Sequence, residues 1–203
     1  MKKISKILGF VVLLAVITTL TGTVLMNCSL KKGVVRLHVV ADSDSVSDQN
    51  IKLRVRDAVL EAVQEDLVGC SDMNQAKQYL QTRLDNLETV ANNALRDAGS
   101  TDIATVTLCR EAFSVRDYDT FSLPSGVYES LRVTIGSGEG KNWWCVVFPA
   151  FCFGATTEEF STCAAGAGFS DVLTNTLTGE PKYELSFFLL DCLGKLENLF
   201  HFR

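Results

Sequence analysis

The chain has 203 residues, 47% of them hydrophobic, enough apolar side chain for one domain with its own core and too much for a disordered chain. Its net charge of −5 becomes −8 without residues 1–28, which carry three lysines and no acid. Such an acidic domain is a poor match for nucleic acid or an anionic lipid surface, because phosphates are held by net positive patches.

The chain opens with an address. Lys2, Lys3 and Lys6 precede an apolar run over residues 7–26 that is broken only by small and hydroxyl residues. A basic flank followed by an apolar core reads as export, and about 20 apolar residues also suffice to span a bilayer. Residues 1–30 are therefore expected to be a signal peptide or an N-terminal membrane anchor. Residues 31–203 are expected to form a single exported domain whose membrane contact runs only through that segment.

In residues 34–57, Val35, Leu37 and Val39 are apolar at period two while Arg36 and His38 point the other way, as in a strand with one buried and one partly polar face. Ser45 and Asp48 then offer a capping box, so a strand-to-helix corner is expected. Ile51, Val55, Ala58, Val59, Ala62, Val63 and Leu67 recur at helical spacing, with Lys52, Arg54 and Arg56 on a solvated flank. Gly69 ends this helix. Ser71 or Asp72 caps a longer one, whose stripe from Met73 through Leu80 and Leu87 to Ala98 stops at Gly99. Its late alanines favour close antiparallel packing on the first helix.

From Ile103 to Val115 the period returns to two, which reads as a strand. Leu131, Val133 and Ile135 alternate with Ser130, Arg132 and Thr134, and a glycine-rich turn over 136–142 leads into Trp143, Trp144 and an apolar run. This pattern predicts an antiparallel hairpin. The turn does not open a helix, so a plain hairpin turn is preferred to a phosphate-binding loop. Residues 154–180, rich in Ala, Gly, Ser and Thr, read as a surface connection with one short helix near 157–165. A last amphipathic helix after Pro181 carries Leu185, Phe188, Leu189, Cys192, Leu196 and Leu199 on one side, the side expected to dock on the sheet. The predicted fold is α+β: a strand, two antiparallel long helices, an antiparallel β-hairpin sheet, and a C-terminal amphipathic helix packed on the sheet.

Seven cysteines suit an exported domain. None has zinc-ligand spacing, so no metal is expected. Cys145 and Cys152, with Pro149 between them, are the candidate disulfide, buried thiols being the alternative. His38, Asp42 and Asp44 cluster at one strand end and raise a second reading, a secreted hydrolase. That reading lacks the Asp-Ser/Thr-Gly pattern of aspartic proteases and any second nearby histidine. No catalytic residue and no cofactor are assigned. The residues expected to contact a protein partner are His38, Asp42, Asp44, Arg54, Arg56, Trp143 and Trp144.

Two blocks, VRLHVVADSDSVSDQNIKLRVRD over residues 35–57 and LPSGVYESLRVTIGSGEGKNWWCVVFPAFCF over residues 123–153, resemble the stage II sporulation protein R family. The second block is the more specific, with its glycine turn, tryptophan pair, Cys145, Phe148, Pro149 and Cys152. The resemblance implies a signalling protein without catalytic residues, exported across the forespore membrane into the space between forespore and mother cell. Its implied partner there is a membrane-bound aspartic protease that processes the precursor of the early mother-cell sigma factor.

Overall fold

The computed structural model describes residues 2–67, 69–149, 157–179 and 183–201. In chain order the elements are α1 (Lys2–Gly33), β1 (Val35–Val40), α2 (Val46–Leu67), α3 (Met73–Asp97), β2 (Ala104–Phe113), β3 (Arg116–Asp117), β4 (Ser122–Leu123), β5 (Gly126–Ile135), β6 (Asn142–Phe148), α4 (Thr157–Gly166), α5 (Asp171–Leu177) and α6 (Glu184–His201). The α+β class holds.

The sheet is a three-layer centrepiece. Val35, Leu37 and Val39 of β1 and Leu131, Val133 and Ile135 of β5 face α2 and α3, where Val55, Val59, Leu80, Leu87 and Leu95 close one core. The helices form as their sequences dictate. Ser45 Oγ accepts the Asp48 N–H at 3.0 Å, and the Asp48 carboxylate accepts from the Ser43 hydroxyl rather than returning to the cap backbone. Asp72 caps α3 by accepting the Asn74 and Gln75 N–H groups, and Gly99, at φ 78°, follows its last turn.

The expected hairpin does not form. The strand order is β2-β5-β1-β6, so β1 lies between the two strands that the glycine turn connects. It pairs parallel with β5 and antiparallel with β6. Both flanking strands satisfy the same buried, two-sided β1, which a local turn signal cannot reveal.

The loop over 136–141 therefore passes across the end of β1 and clasps the strand-to-helix corner. Ser137 N–H donates to Asp42 Oδ1 at 2.6 Å, Gly140 N–H to the Ala41 carbonyl at 2.9 Å, and Lys141 N–H to Asp44 Oδ1 at 2.7 Å. Lys52, expected on a solvated flank, is buried beneath this clasp and donates to the Lys141 carbonyl at 2.9 Å. Burial pushes its ammonium pKa down, and Asp44 opposes the shift. Gly140 sits against the corner so closely that a Cβ there would lie 2.3 Å from the Ser43 carbonyl oxygen.

Residues 157–179 are not a surface connection. They form α4 and α5, and Phe160, Ala164, Phe169, Leu173 and Leu177 join a second core on the opposite sheet face with Phe113, Tyr128 and Leu190. The alanines and glycines masked a few large apolar anchors. The boundary expected at residue 30 also falls inside a packed helix: Thr23, Asn27 and Leu30 on the last turns of α1 are buried. Upstream of these turns α1 is exposed, long enough and apolar enough to cross a membrane, as a signal sequence or an anchor would be.

The clasp makes a direct prediction. Gly140→Ala should lower unfolding free energy by about 1–3 kcal/mol through overpacking. Gly69→Ala, where an added Cβ meets nothing within 4 Å, should stay within about 0.5 kcal/mol of the parent. Urea midpoints of the two variants check this, and equal stability would contradict it.

Candidate functional site

The second face of the sheet carries the polar side chains of its strands. At one end Arg36 is fully buried, its guanidinium 4.0 Å from the Phe113 ring centroid and 5.3 Å from that of Tyr128, with Nη2 donating to the Tyr118 hydroxyl at 2.9 Å. The two aromatic rings, set edge to face, supply the electron-rich surroundings a buried cation requires. Towards the other end the face opens to solvent. Thr107, Arg132, His38 and Trp144 lie side by side in strand register across β2, β5, β1 and β6.

Glu111 ties this row together. Its carboxylate lies 3.1 Å from His38 Nδ1 and accepts from Arg132 Nη1 at 2.8 Å, while His38 Nε2 is 3.0 Å from Asn142 Oδ1. With this Asn142 orientation both ring nitrogens donate only in the imidazolium; rotating the amide fits the neutral ring. Burial alone would raise the Glu111 pKa, but His38 and Arg132 outweigh it and hold the carboxyl below its usual range. Trp144 stands beside the cluster, 5.7 Å from the His38 ring, with the Arg116 guanidinium 3.7 Å from its own.

The residues proposed from sequence are divided among three places. His38 and Trp144 belong to this face. Asp42 and Asp44 hold the glycine loop, and Ser137 N–H lowers the Asp42 pKa. They anchor that loop rather than cap α2. Trp143 sits on the other side of β6, where the Arg56 guanidinium stacks 4.3 Å from its ring, and Arg54 is exposed on α2. The hydrolytic trio is thus engaged with separate partners. Cys109 on β2 has its thiol pKa raised by burial and by the Glu111 charge, which disfavours the reactive thiolate. Cys145 is buried on β6, whereas Cys152 lies outside the described residues.

Sequence reasoning missed Glu111, Asn142 and Arg116. The signal for Glu111 was its place in the period-two register of β2, two residues from Phe113 on the same face. Its partners are supplied by strands distant in sequence. Among the described residues no group of three His, Cys, Asp or Glu is placed to hold a metal ion. The arrangement provides a fixed carboxylate bridging an imidazole and a guanidinium with an aromatic shoulder, suited to contacting a polar surface.

Fold and site together define an α+β domain behind an export-type helix, presenting a charged and aromatic sheet face. The stage II sporulation protein R family model matches residues 31–158, and the chain belongs to that family. Stage II sporulation protein R of Bacillus subtilis (strain 168) is 31% identical over 119 residues, covering 59% of this chain and 53% of the relative. The matched segment thus spans about half of that relative's length. No solved structure matches.

Because the folded Glu111 pKa is depressed, its contribution to stability is present above the unfolded pKa and is lost as pH falls through the folded value. Stability should therefore decline as pH falls below the ordinary glutamate value of about 4.3, and Glu111→Gln should flatten part of that decline. At neutral pH the variant should lose about 1–3 kcal/mol, because Arg132 loses a charged acceptor and His38 loses its carboxylate partner. Denaturant melts across this pH range, parent against variant, provide the measurement; parallel pH profiles would refute the assignment.

Proposed function

We infer that this chain is an intercompartmental sporulation signal rather than an enzyme. It is exported from the forespore into the space between the forespore and mother-cell membranes. There it activates a membrane-bound aspartic protease of the mother cell, which processes the precursor of the early mother-cell sigma factor. Membership of the sporulation family, matched over residues 31–158, carries this reading. It is supported by the apolar leading helix and by a polar sheet face whose ionisable groups are engaged with one another.

In this reading the protease contacts the row formed by His38, Arg132 and Trp144. A bridge between Cys145 and Cys152 belongs to the same proposal: it secures the segment following β6 in an oxidising compartment. Cys145 stands apart from the free cysteines Cys28, Cys109, Cys163 and Cys192, which accords with it.

The test is made in sporulating cells. Deleting the gene should block processing of the sigma-factor precursor while precursor and protease both accumulate, and normal processing in the deletion strain would sink the proposal. Complementation with a Trp144→Ala, Arg132→Glu chain should restore less than about a tenth of parental processing, the loss expected from a central interface contact. Processing is compared per molecule of accumulated chain, because Arg132→Glu also removes the ion pair with Glu111. Full processing by that variant would move the contact elsewhere on the domain.

A further inference from the structure

The C-terminal helix docks with the face opposite to the one its sequence favours. Leu190, Asp191 and Gly194 are its buried positions. Asp191 Oδ1 accepts the Ser125 N–H at 2.9 Å, Asn198 donates to the Phe113 carbonyl at 2.8 Å, and Glu197 pairs with Lys31 while accepting from Asn27. Gly194 lies so close to the Ser125 carbonyl that the backbones meet directly. The inward side of α6 is thus largely polar. Its outward side carries Leu185, Phe188, Leu196, Leu199 and Phe200, each more than half exposed, from 53% to 76%.

A polar-inward, apolar-outward helix is unfavourable in water and suited to an apolar solvent. The structure also indicates where that solvent is. The α6 helix runs beside α1, with Glu197 level with Asn27 and Lys31. Further along, Leu189 shares an apolar groove of about 360 Å³ with Val12, Ala15, Val16, Thr19 and Leu20. The exposed stripe of α6 therefore continues directly into the apolar surface of α1, the helix long and apolar enough to enter a bilayer. On this side Lys195 is held by Asp191 at 2.8 Å on a long, largely exposed stem, the geometry of a lysine that reaches towards headgroups.

We propose that α6 is a membrane-associated helix that lies alongside α1, its outward stripe in the same zwitterionic bilayer that α1 enters. The net negative charge of the domain favours a zwitterionic over an anionic surface. The domain is then held against the membrane by two elements and presents its sheet at a fixed height and tilt. This inference does not depend on the identity of any protease.

The test uses the full chain in phosphatidylcholine vesicles, with a fluorescent amino acid placed singly at Phe188, at Leu196, or at Arg54 on α2 as the aqueous reference. Circular dichroism verifies each fold, and two α6 sites keep the test intact if one label disturbs packing. Doxyl-labelled phosphatidylcholine should quench the 188 and 196 probes at least about twofold more than the 54 probe, and aqueous iodide should show the reverse order. Iodide quenching at 188 and 196 equal to that at 54 would place α6 in water and overturn the proposal. Shielding of both sites from iodide and doxyl lipid alike would assign the face to a second copy or another protein, and would equally overturn it.

Discussion

The structure depends on the way the 136–141 loop grips the corner between β1 and α2. Parallel pairing of β1 with β5 and antiparallel pairing with β6 require the chain to step across the end of β1, where the backbone would otherwise present unpaired polar groups. The Asp42 and Asp44 carboxylates, the Ala41 carbonyl and Lys52 supply partners for that crossing, while Gly140 permits the approach. Acids expected to serve a reaction or a partner contact thus hold the central strand between its neighbours. The same grip fixes the heights of His38 on β1, Arg132 on β5 and Trp144 on β6 relative to one another.

That register gives the sheet its two unlike faces. The apolar face is an ordinary core closed by α2 and α3. The other passes from the stacked, fully buried Arg36 to the half-exposed cluster around Glu111. A cluster satisfied by its own members is poorly suited to proton transfer, because each change of charge must break a neighbour's hydrogen bond. It is well suited to presenting charge in a fixed pattern to another surface. This property is consistent with a family whose role is sporulation and with the signalling role proposed for this member.

Delivery and presentation are physically continuous. The last turns of α1 are part of the second core through Met26 and Leu30, and α6 is fastened to them through Asn27, Lys31 and Glu197. The segment that addresses the chain is therefore also a wall of the domain. Cutting between the exposed and buried portions of α1 would preserve this packing, whereas cutting after residue 30 would remove it. The outward apolar stripe of α6 extends the same wall towards the exposed apolar surface of α1.

Much was legible without coordinates. The leading apolar run, the β1-to-α2 corner, the stripes of α2 and α3 and the alternation in β2 and β5 follow from local rules of periodicity and capping, and they reappear with small shifts at their ends. The sequence by itself determined these elements, the α+β class and the presence of His38 on a polar strand face. Tertiary structure alone decided that β1 separates β5 from β6, that Glu111 meets His38 and Arg132, and that α6 turns its apolar stripe outward. Strand neighbours are chosen by non-local pairing, and an apolar stripe specifies only that water is avoided, not whether protein or lipid replaces it.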